Sequence, residues 1–410
     1  MINPIADKRI LLGVTGSIAA YKAVDLASKL TQNGAQVDVI LTESAAKFVS
    51  PLSFQSVTGR KAYTDEDLWG GYGHVTHVGL GHAAELMVIA PASANTMAKI
   101  AHGIGDNLLT VTALAARCPL MIAPAMDVGM YGHPATQANV DILKQRGAVF
   151  IGPEEGHLAS GLVGPGRLSE PLTILGVIRY QLSRGGKLAG CKVVVTAGGT
   201  QEPIDPVRMI TNRSSGKQGY AIAQAALDAG AEVVLISGAA HLPVPGGARL
   251  VPVVTAAEMK QAVLEETCDA DVLIMAAAVA DFRPAQAASD KIKKETGVPE
   301  IRLEPTEDIL LAVSEQKGRI GRPRRVVGFA AESQDLLNNA RRKLQSKNLD
   351  LIVANDITAS DAGFEVDTNQ VTLLFADGRT ESLPNQSKAA VAAHLMGRVG
   401  EWFQPPLSGT

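Results

Sequence analysis

Twice along this chain an apolar strand runs into a turn of glycine and small hydroxyl residues and then into an amphipathic helix: ILLGVTGS from Ile10 and VVVTAGGT from Val193. Further apolar runs alternate with helical stretches after each start. They are QVDVILT, ELMVIAP and PLMIAPA in the first half, and AEVVLISG, DVLIMAAA, VVGFAAE and LDLIVAND in the second. Apolar runs alternating with amphipathic helices imply parallel strands buried on both faces. The expected fold class is therefore α/β, with two doubly wound domains and mostly parallel sheets. The first helix should bury Ile18, Tyr21, Val24, Ala27 and Leu30 and stop at Gly34, and the helix after the second start should run from about Gly219 to Ala229. Around QLSRGGKLAG the pattern lapses, which predicts a linker and domains at residues 1–189 and 190–410. The tail from Gln404 reads as frayed.

In such folds ligands sit outside the carboxyl ends of the strands, so residues just after the strands carry the chemistry. With 38 Lys and Arg against 41 Asp and Glu, the chain has no positive excess to draw a nucleic-acid backbone or an anionic membrane. Aromatic residues make up only 4%, which argues against base-stacking surfaces. An anionic ligand must then be held locally. Cys118, Cys191 and Cys268 are widely separated with no CxxC pair, which predicts neither disulfides nor structural zinc and fits the reducing cytoplasm. The longest apolar run, Val272 to Ala280, has nine residues, short of the roughly 18 of a membrane span. An apolar stretch near the start that could mimic a signal peptide is broken by Gly13, Thr15, Gly16 and Ser17.

In the first half, the turn from Gly13 to Ile18 offers free backbone NH groups at a helix N-terminus, a site for a phosphate. It is not GxGxxG. Thr42 and Ser44 follow the second strand as phosphate or hydroxyl partners, and Ser93, Asn95 and Thr96 follow the next. Several such loops on one sheet edge suggest a single extended, phosphorylated cofactor. His74, His77 and His82 lack a carboxylate or cysteine at ligand spacing, so one histidine acting as acid or base is expected rather than a metal cluster.

The Gly-Ser-Ile turn, His77, APASANT, PAMDVGM with HPATQ, and GHLASGLVGPGR together resemble the homo-oligomeric flavin-containing cysteine decarboxylases over residues 6 to 180. The resemblance implies FMN on the loops carrying Gly16, Ser17, Ile18, Thr42, Ser44, Ser93 and Asn95, with its ring at a trimer interface. It also implies 4'-phosphopantothenoylcysteine or a peptide C-terminal cysteine as substrate, and His77 as the catalytic histidine. At two candidate catalytic positions the chain departs from that family: Asp127 replaces an asparagine, and Ser160 stands where a flap cysteine is expected. Two carboxylates about 4 Å apart repel by roughly 4 kcal/mol at an effective dielectric near 20. Asp127 should then be protonated, turned away, or act through repulsion relieved as carbon dioxide leaves. Serine is a weaker acid than a thiol, so water or another residue would deliver the proton if Ser160 does not.

In the second half, the segment from Thr200 to Gly219 carries Arg208, Asn212, Arg213, Ser214, Ser215 and Lys217 ahead of a helix, which suits a polyphosphate or a phosphorylated acid. Lys291, Lys293 and Lys294 read as a lid over phosphates. The basic stretch from Lys317 to Arg325 lacks interleaved aromatics and reads as a solvated loop. GGTxEPIDxVRxITNxSSGxxG, AAAVADF, KIKK, VVGFAAE and KNLDLIVAND closely resemble the phosphopantothenate-cysteine ligases from residue 190 to about 400. That resemblance implies that CTP with Mg²⁺ activates 4'-phosphopantothenate as an acyl-cytidylate, from which the amine of L-cysteine displaces CMP. Asn212 then matches the intermediate-binding asparagine and Lys291 the KxKK lysine. Asp281, Lys291, Phe329, Lys343 and Lys347 match CTP-contacting positions, and no Mg²⁺ ligand is assigned.

Together the two resemblances imply a bifunctional enzyme of coenzyme A biosynthesis that makes 4'-phosphopantetheine, a homododecamer built from trimers of one half and dimers of the other. The alternative keeps the ligase but gives the flavoprotein half an oxidative output, or none, because of Asp127 and Ser160; a rival from another class is a purely regulatory FMN-binding module that anchors the trimer. An NAD(P)-dependent reductase would need the GxGxxG that is missing.

Overall fold

The computed structural model describes residues 3–69, 75–239, 241–293, 300–332, 336–356 and 367–403; His74, Lys294 and the tail from Gln404 lie outside them. The chain divides into two compact units between Leu182 and Ser183.

The first unit contains β1 (Arg9–Val14), α1 (Ala20–Gln32), β2 (Gln36–Leu41), α2 (Glu43–Ala46), α3 (Pro51–Thr58), β3 (Ala62–Tyr63), α4 (Thr76–Ala83) and β4 (Leu86–Ala92). It continues with α5 (Ala94–His102), α6 (Leu108–Ala115), β5 (Leu120–Pro124), α7 (Val128–Gly132), α8 (Pro134–Gln145), β6 (Val149–Phe150), β7 (Glu154–His157), β8 (Val163–Arg167) and α9 (Pro171–Ser183). Six strands form a parallel sheet in the order β3-β2-β1-β4-β5-β6. Alternate residues of β1 feed opposite cores. Ile10, Leu12 and Val14 pack with Leu26, Leu30 and Phe54, whereas Leu11 packs with Met87, Leu108 and Ile122. That is why the strands read as unbroken apolar runs.

The face expected for α1 needs correction. Ala20, Ala23, Leu26, Ala27 and Leu30 are buried, while Ile18 and Tyr21 are 62% and 63% exposed. Ile18 precedes the helix, and Tyr21 is turned roughly 100° per residue from its buried neighbours Ala20 and Ala23, whose small side chains let the helix lie close on the sheet. α9 also takes Gln181 to Ser183 from the stretch read as linker.

The second unit contains β9 (Lys192–Ala197), β10 (Gln201–Pro203), β11 (Met209–Thr211), α10 (Lys217–Asp228), β12 (Glu232–Ser237), β13 (Arg249–Pro252), α11 (Ala256–Glu266) and β14 (Val272–Met275). After it come β15 (Phe282–Pro284), β16 (Leu303–Pro305), α12 (Ile309–Ile320), β17 (Arg325–Glu332), α13 (Leu336–Ser346) and β18 (Leu351–Asp356). β19 (Thr368–Asn369), β20 (Val371–Phe375), β21 (Thr380–Ser382), β22 (Gln386–Ser387) and α14 (Lys388–Glu401) complete it. Its main sheet runs β13-β12-β9-β14-β17-β18-β20-β21, parallel as far as β18 and antiparallel beyond.

In both units the first strand lies inside the sheet and the chain winds outward to either side of it. The winding reverses between β1 and β4 and between β9 and β14, which opens a crevice at the carboxyl ends of those strands. Among the described residues no helix is long and apolar enough to cross a membrane.

Candidate active sites

Both crevices are built by the same device, a fully buried threonine just past the first strand. In the first unit Thr15 Oγ1 donates to Pro91 O at 2.8 Å and accepts from Ser93 N at 2.8 Å, tying the loop after β1 to the loop after β4. Thr42 N donates to Val14 O at 3.1 Å, and Thr42 Oγ1 caps α2 by accepting from Ala45 N at 3.2 Å. The loop after β2 closes against the first: a Cβ on Gly16 would stand 2.6 Å from Ser44 Cβ. Ser93 caps α5, its Oγ accepting from Thr96 N at 3.3 Å. Gly16, Ser17, Thr42, Ser44, Ser93 and Asn95 are thus carried on one ridge, with Ile18 exposed beside them. Among the described residues the amides of Gly16, Ser17 and Ile18 have no protein acceptor. Glycine where a Cβ would collide, free amides ahead of α1 and hydroxyls on three loops fit a phosphorylated cofactor such as FMN.

His77 lies in the first turn of α4, and its Nδ1 is buried with no partner among the described residues. Such an atom calls for a group the protein does not itself supply. Among the described residues Asp127 and Ser160 make no hydrogen bond to His77; they bond to each other. Ser160 Oγ donates to Asp127 Oδ2 at 2.6 Å, and Asp127 Oδ1 caps α7 by accepting from Gly129 N at 2.9 Å. The hydrogen bond from Ser160, then that from Gly129, hold the Asp127 carboxyl below the ordinary aspartate value. The two partners are donors, which favour the ionised form and so speak against protonation, one of the three outcomes expected from repulsion. Ser160 reaches Asp127 because the β7–β8 hairpin docks on the turn before α7: Met126 N donates to Gly166 O at 3.0 Å, and Gly166 leaves no room for a Cβ against Met126 O.

In the second unit Thr200 Oγ1 accepts from Ala280 N at 2.9 Å, and Asn212 Nδ2 donates to Ala278 O and Val279 O at 3.3 and 3.0 Å. The TNRSSGK loop is thereby clamped to the AAAVAD loop. Between them opens a cavity of about 480 Å³ whose wall includes Asn212, Asp281, Phe329 and Lys343. Lys343 Nζ donates to Phe329 O at 3.2 Å. Lys347 stands behind the wall, paired at 2.6 Å with Asp308, which does line the cavity.

Lys291 is exposed and outside the cavity. Its neighbour Ile292 is tethered to the fold, donating its N to Asp205 Oδ2 at 3.2 Å and accepting from Arg208 Nη1 at 3.3 Å. Asp205, the aspartate of the IDxVR stretch, also accepts the amides of Val207 and Arg208, both at 2.8 Å, a structural role that the motif did not reveal. Sequence reasoning likewise passed over Asn355, Asn369 and Lys388, which line the same cavity. Asn355 had a signal, as the strand-end residue of LIVAND. Asn369 and Lys388 had none. Among the described residues no group of three or more His, Cys, Asp or Glu could hold a metal.

Fold and sites together define a two-unit α/β protein of the nucleotide-binding type, with one small-molecule crevice in each unit. Residues 3–183 match the Flavoprotein family, and residues 188–402 match the DNA/pantothenate metabolism flavoprotein C-terminal domain. The chain is 47% identical to the coenzyme A biosynthesis bifunctional protein CoaBC of Bacillus subtilis (strain 168), across 96% of this chain and 97% of that protein. Against the protein of the same name from Mycobacterium tuberculosis (strain ATCC 25618 / H37Rv) it is 45% identical, across 96% of each. A crystal structure of the C-terminal domain of a CoaBC is 38% identical, covering 53% of this chain and 97% of that one with a TM-score of 0.45. The chain belongs to the family of coenzyme A biosynthesis bifunctional proteins CoaBC. It is a bifunctional enzyme, with a flavoprotein decarboxylase half and a ligase half.

Proposed function

We propose that residues 190–410 join 4'-phosphopantothenate to L-cysteine using CTP and Mg²⁺, by way of an acyl-cytidylate, and that residues 1–189 bind FMN and decarboxylate the resulting 4'-phosphopantothenoylcysteine to 4'-phosphopantetheine. The observation that carries the reading is the gathering of Asn212, Asp281, Phe329 and Lys343 around one cavity from segments far apart in sequence.

In the ligase half a carboxylate must acquire a leaving group before an amine can displace it. Asn212, pinned by its amide nitrogen, presents its carbonyl side to the activated acyl group. Asp281 and Phe329 seat the nucleotide, Lys343 and Lys347 flank it, and Lys291 closes over the phosphate to stabilise developing charge. No Mg²⁺ ligand is assigned among the protein groups.

In the decarboxylase half a flavin held on these loops would take two electrons from the substrate thiol, giving the electron sink that loss of carbon dioxide needs, and would return both to the resulting enethiol, so that the overall reaction is redox-neutral. His77 takes the proton released at that step. Asp127, kept ionised by Ser160, faces the substrate carboxylate and favours its departure as neutral carbon dioxide. The flap serine is held by Asp127, so the proton that completes the product comes through water. No finding favours an oxidative or inactive flavoprotein half. We further propose that the protein works in the cytoplasm as a homododecamer of decarboxylase trimers and ligase dimers; Ile18 and Tyr21, exposed beside the flavin loops, suit a subunit contact.

The test is to incubate the purified chain with 4'-phosphopantothenate, L-cysteine, CTP and Mg²⁺ and to weigh the products. A product lighter than the acylcysteine by one carbon dioxide is expected. Persistence of the acylcysteine, or a product also lacking two hydrogens, would overturn the assignment of the first half while leaving the ligase.

A further inference from the structure

Asn212 and Lys291 belong to the two ends of one short hairpin, and a residue so far without a part in the chemistry joins them. β10 and β11 pair Gln201 with Thr211, Glu202 with Ile210 and Pro203 with Met209. Ile204 N donates to Arg208 O at 2.8 Å, which carries the ladder one step further and leaves Asp205, Pro206 and Val207 as the tip. The base is held on the body of the unit. Gln201 N donates to Val254 O at 2.8 Å, and Glu202, only 2% exposed, accepts at 2.8 Å from the amide of Ala256, the first residue of α11. Asn212 follows β11 directly, so its place and that of the tip are fixed to each other through the paired strands.

The lysine segment is fastened to that tip. Ala288 N donates to Ile204 O at 2.9 Å, Ile292 N donates to Asp205 Oδ2 at 3.2 Å, and Ile292 O accepts from Arg208 Nη1 at 3.3 Å. Among the described residues, these are the hydrogen bonds that tie residues 286–292 to the rest of the fold. Ala288 and Ile292 are half-buried, and the rest of that stretch, Lys291 included, is exposed.

Asp205 is the hub of the arrangement. Its side chain is fully buried, and its two oxygens have separate tasks. Oδ1 accepts the amides of Val207 and Arg208, which is how an aspartate closes a turn on its own backbone. Oδ2 accepts Ile292 N and, at 2.9 Å, Arg208 Nη1. Burial works against ionisation of this carboxyl, but the amides of Val207, Ile292 and Arg208, with the Arg208 charge, outweigh it and hold the group below the ordinary aspartate value. The turn needs only Oδ1. The second oxygen goes to a segment 87 positions away, the one that carries Lys291.

We propose that Asp205 is a positioning residue for the ligase reaction: through Oδ2 it anchors the segment of Lys291 to the hairpin that carries Asn212, and so sets where the lysine is presented to the activated acid. The proposal rests on the ligase reading above. A lysine stabilises developing charge only at close range, and a segment cut loose spreads its side chain over many positions and lowers its effective concentration at the phosphate. Asp205 does not line the cavity, so the anchor acts on the rate through Lys291 and not on the seating of the nucleotide.

Asp205→Asn separates the two tasks. The remaining oxygen goes on accepting the two turn amides, while the amide nitrogen in place of Oδ2 faces the N–H of Ile292 and the guanidinium, donor against donor. The turn survives and the anchor is cut. On the full chain, hydrogen exchange of the peptide spanning residues 286–293 reads the anchor, and ligation of 4'-phosphopantothenate to L-cysteine with CTP and Mg²⁺ reads the reaction. Asp205→Asn should speed that exchange about tenfold and lower kcat about tenfold with the KM for CTP unchanged. In a Lys291→Gln background it should lower kcat no further, whereas a residue that only stabilises the hairpin would act equally with or without Lys291 and the two losses would multiply. Ile292→Pro, which removes the donor from the other side and leaves the hairpin untouched, should lower kcat likewise. Unchanged exchange, undiminished ligation in either variant, or multiplying losses would each overturn the proposal. No acylcysteine from the unaltered chain would instead overturn the ligase reading, and this proposal with it, whatever the exchange shows.

Discussion

At Asp127 and Ser160, two departures from the decarboxylase pattern turn out to be one structural unit. The sequence placed them 33 residues apart and gave no reason to couple them; the docked hairpin brings them to 2.6 Å. A carboxylate whose donors lower its pKa contributes stability that is present above the ordinary aspartate value of about 3.9 and is lost as pH falls through the lowered folded value. Ser160→Ala should therefore move the acid limb of decarboxylation to higher pH, and Asp127→Asn should abolish that limb. Superimposable pH–rate profiles in all three proteins would show that the pair does not govern the reaction. Gly16 makes a second prediction at this scale. An alanine there has no room beside Ser44, so Gly16→Ala should purify without visible flavin absorbance while forming 4'-phosphopantothenoylcysteine at the unaltered rate. Retained flavin at full stoichiometry would contradict the placing of the cofactor.

The elements were legible from period and turn chemistry, since β1, β2, β4, β5, β9, β12, β14, β17 and β18 fall on the apolar runs. The face of α1 was misjudged because a helix packed on a sheet through alanines offers little large apolar side chain to read, while the exposed Ile18 and Tyr21 supply a false stripe. Caps were better marked. Thr255 and Glu258 form a reciprocal box at the start of α11, away from the cavity wall, with Glu258 N donating to Thr255 Oγ1 at 3.2 Å. Thr255→Ala should cost about 1 kcal/mol, lowering the melting temperature of the ligase unit by about 2–4 °C with its KM values unchanged; a calorimetric scan that does not move would disprove the cap's role. α10 answers differently, because a Cβ on Gly219 would stand 2.5 Å from Ala197 Cβ and 2.8 Å from Thr196 O. Gly219→Ala should push the helix start off β9 and raise the KM for CTP, with decarboxylation of supplied acylcysteine untouched. Equal losses in both reactions would point to global unfolding instead.

At the scale of the whole molecule, each unit has its own sheet and its own buried clusters. Residues 1–182 and 183–410, produced separately, should each fold, the first decarboxylating supplied acylcysteine and the second forming it. A half that is unfolded by circular dichroism when alone would show that the units depend on each other. The sequence by itself determined the two doubly wound sheets, the strand-end loops and the order of the two chemistries, because burial on both faces of a sheet and tight turns before helices leave a local imprint in apolar runs, glycines and hydroxyls. Tertiary structure alone decided which distant side chains meet. The Ser160–Asp127 bond, the Asn212 clamp, the tether on Ile292 and the corner of Asn355, Asn369 and Lys388 join residues separated by up to 87 positions or carried on different strands. Such meetings are set by sheet order and helix packing, and no local periodicity records them.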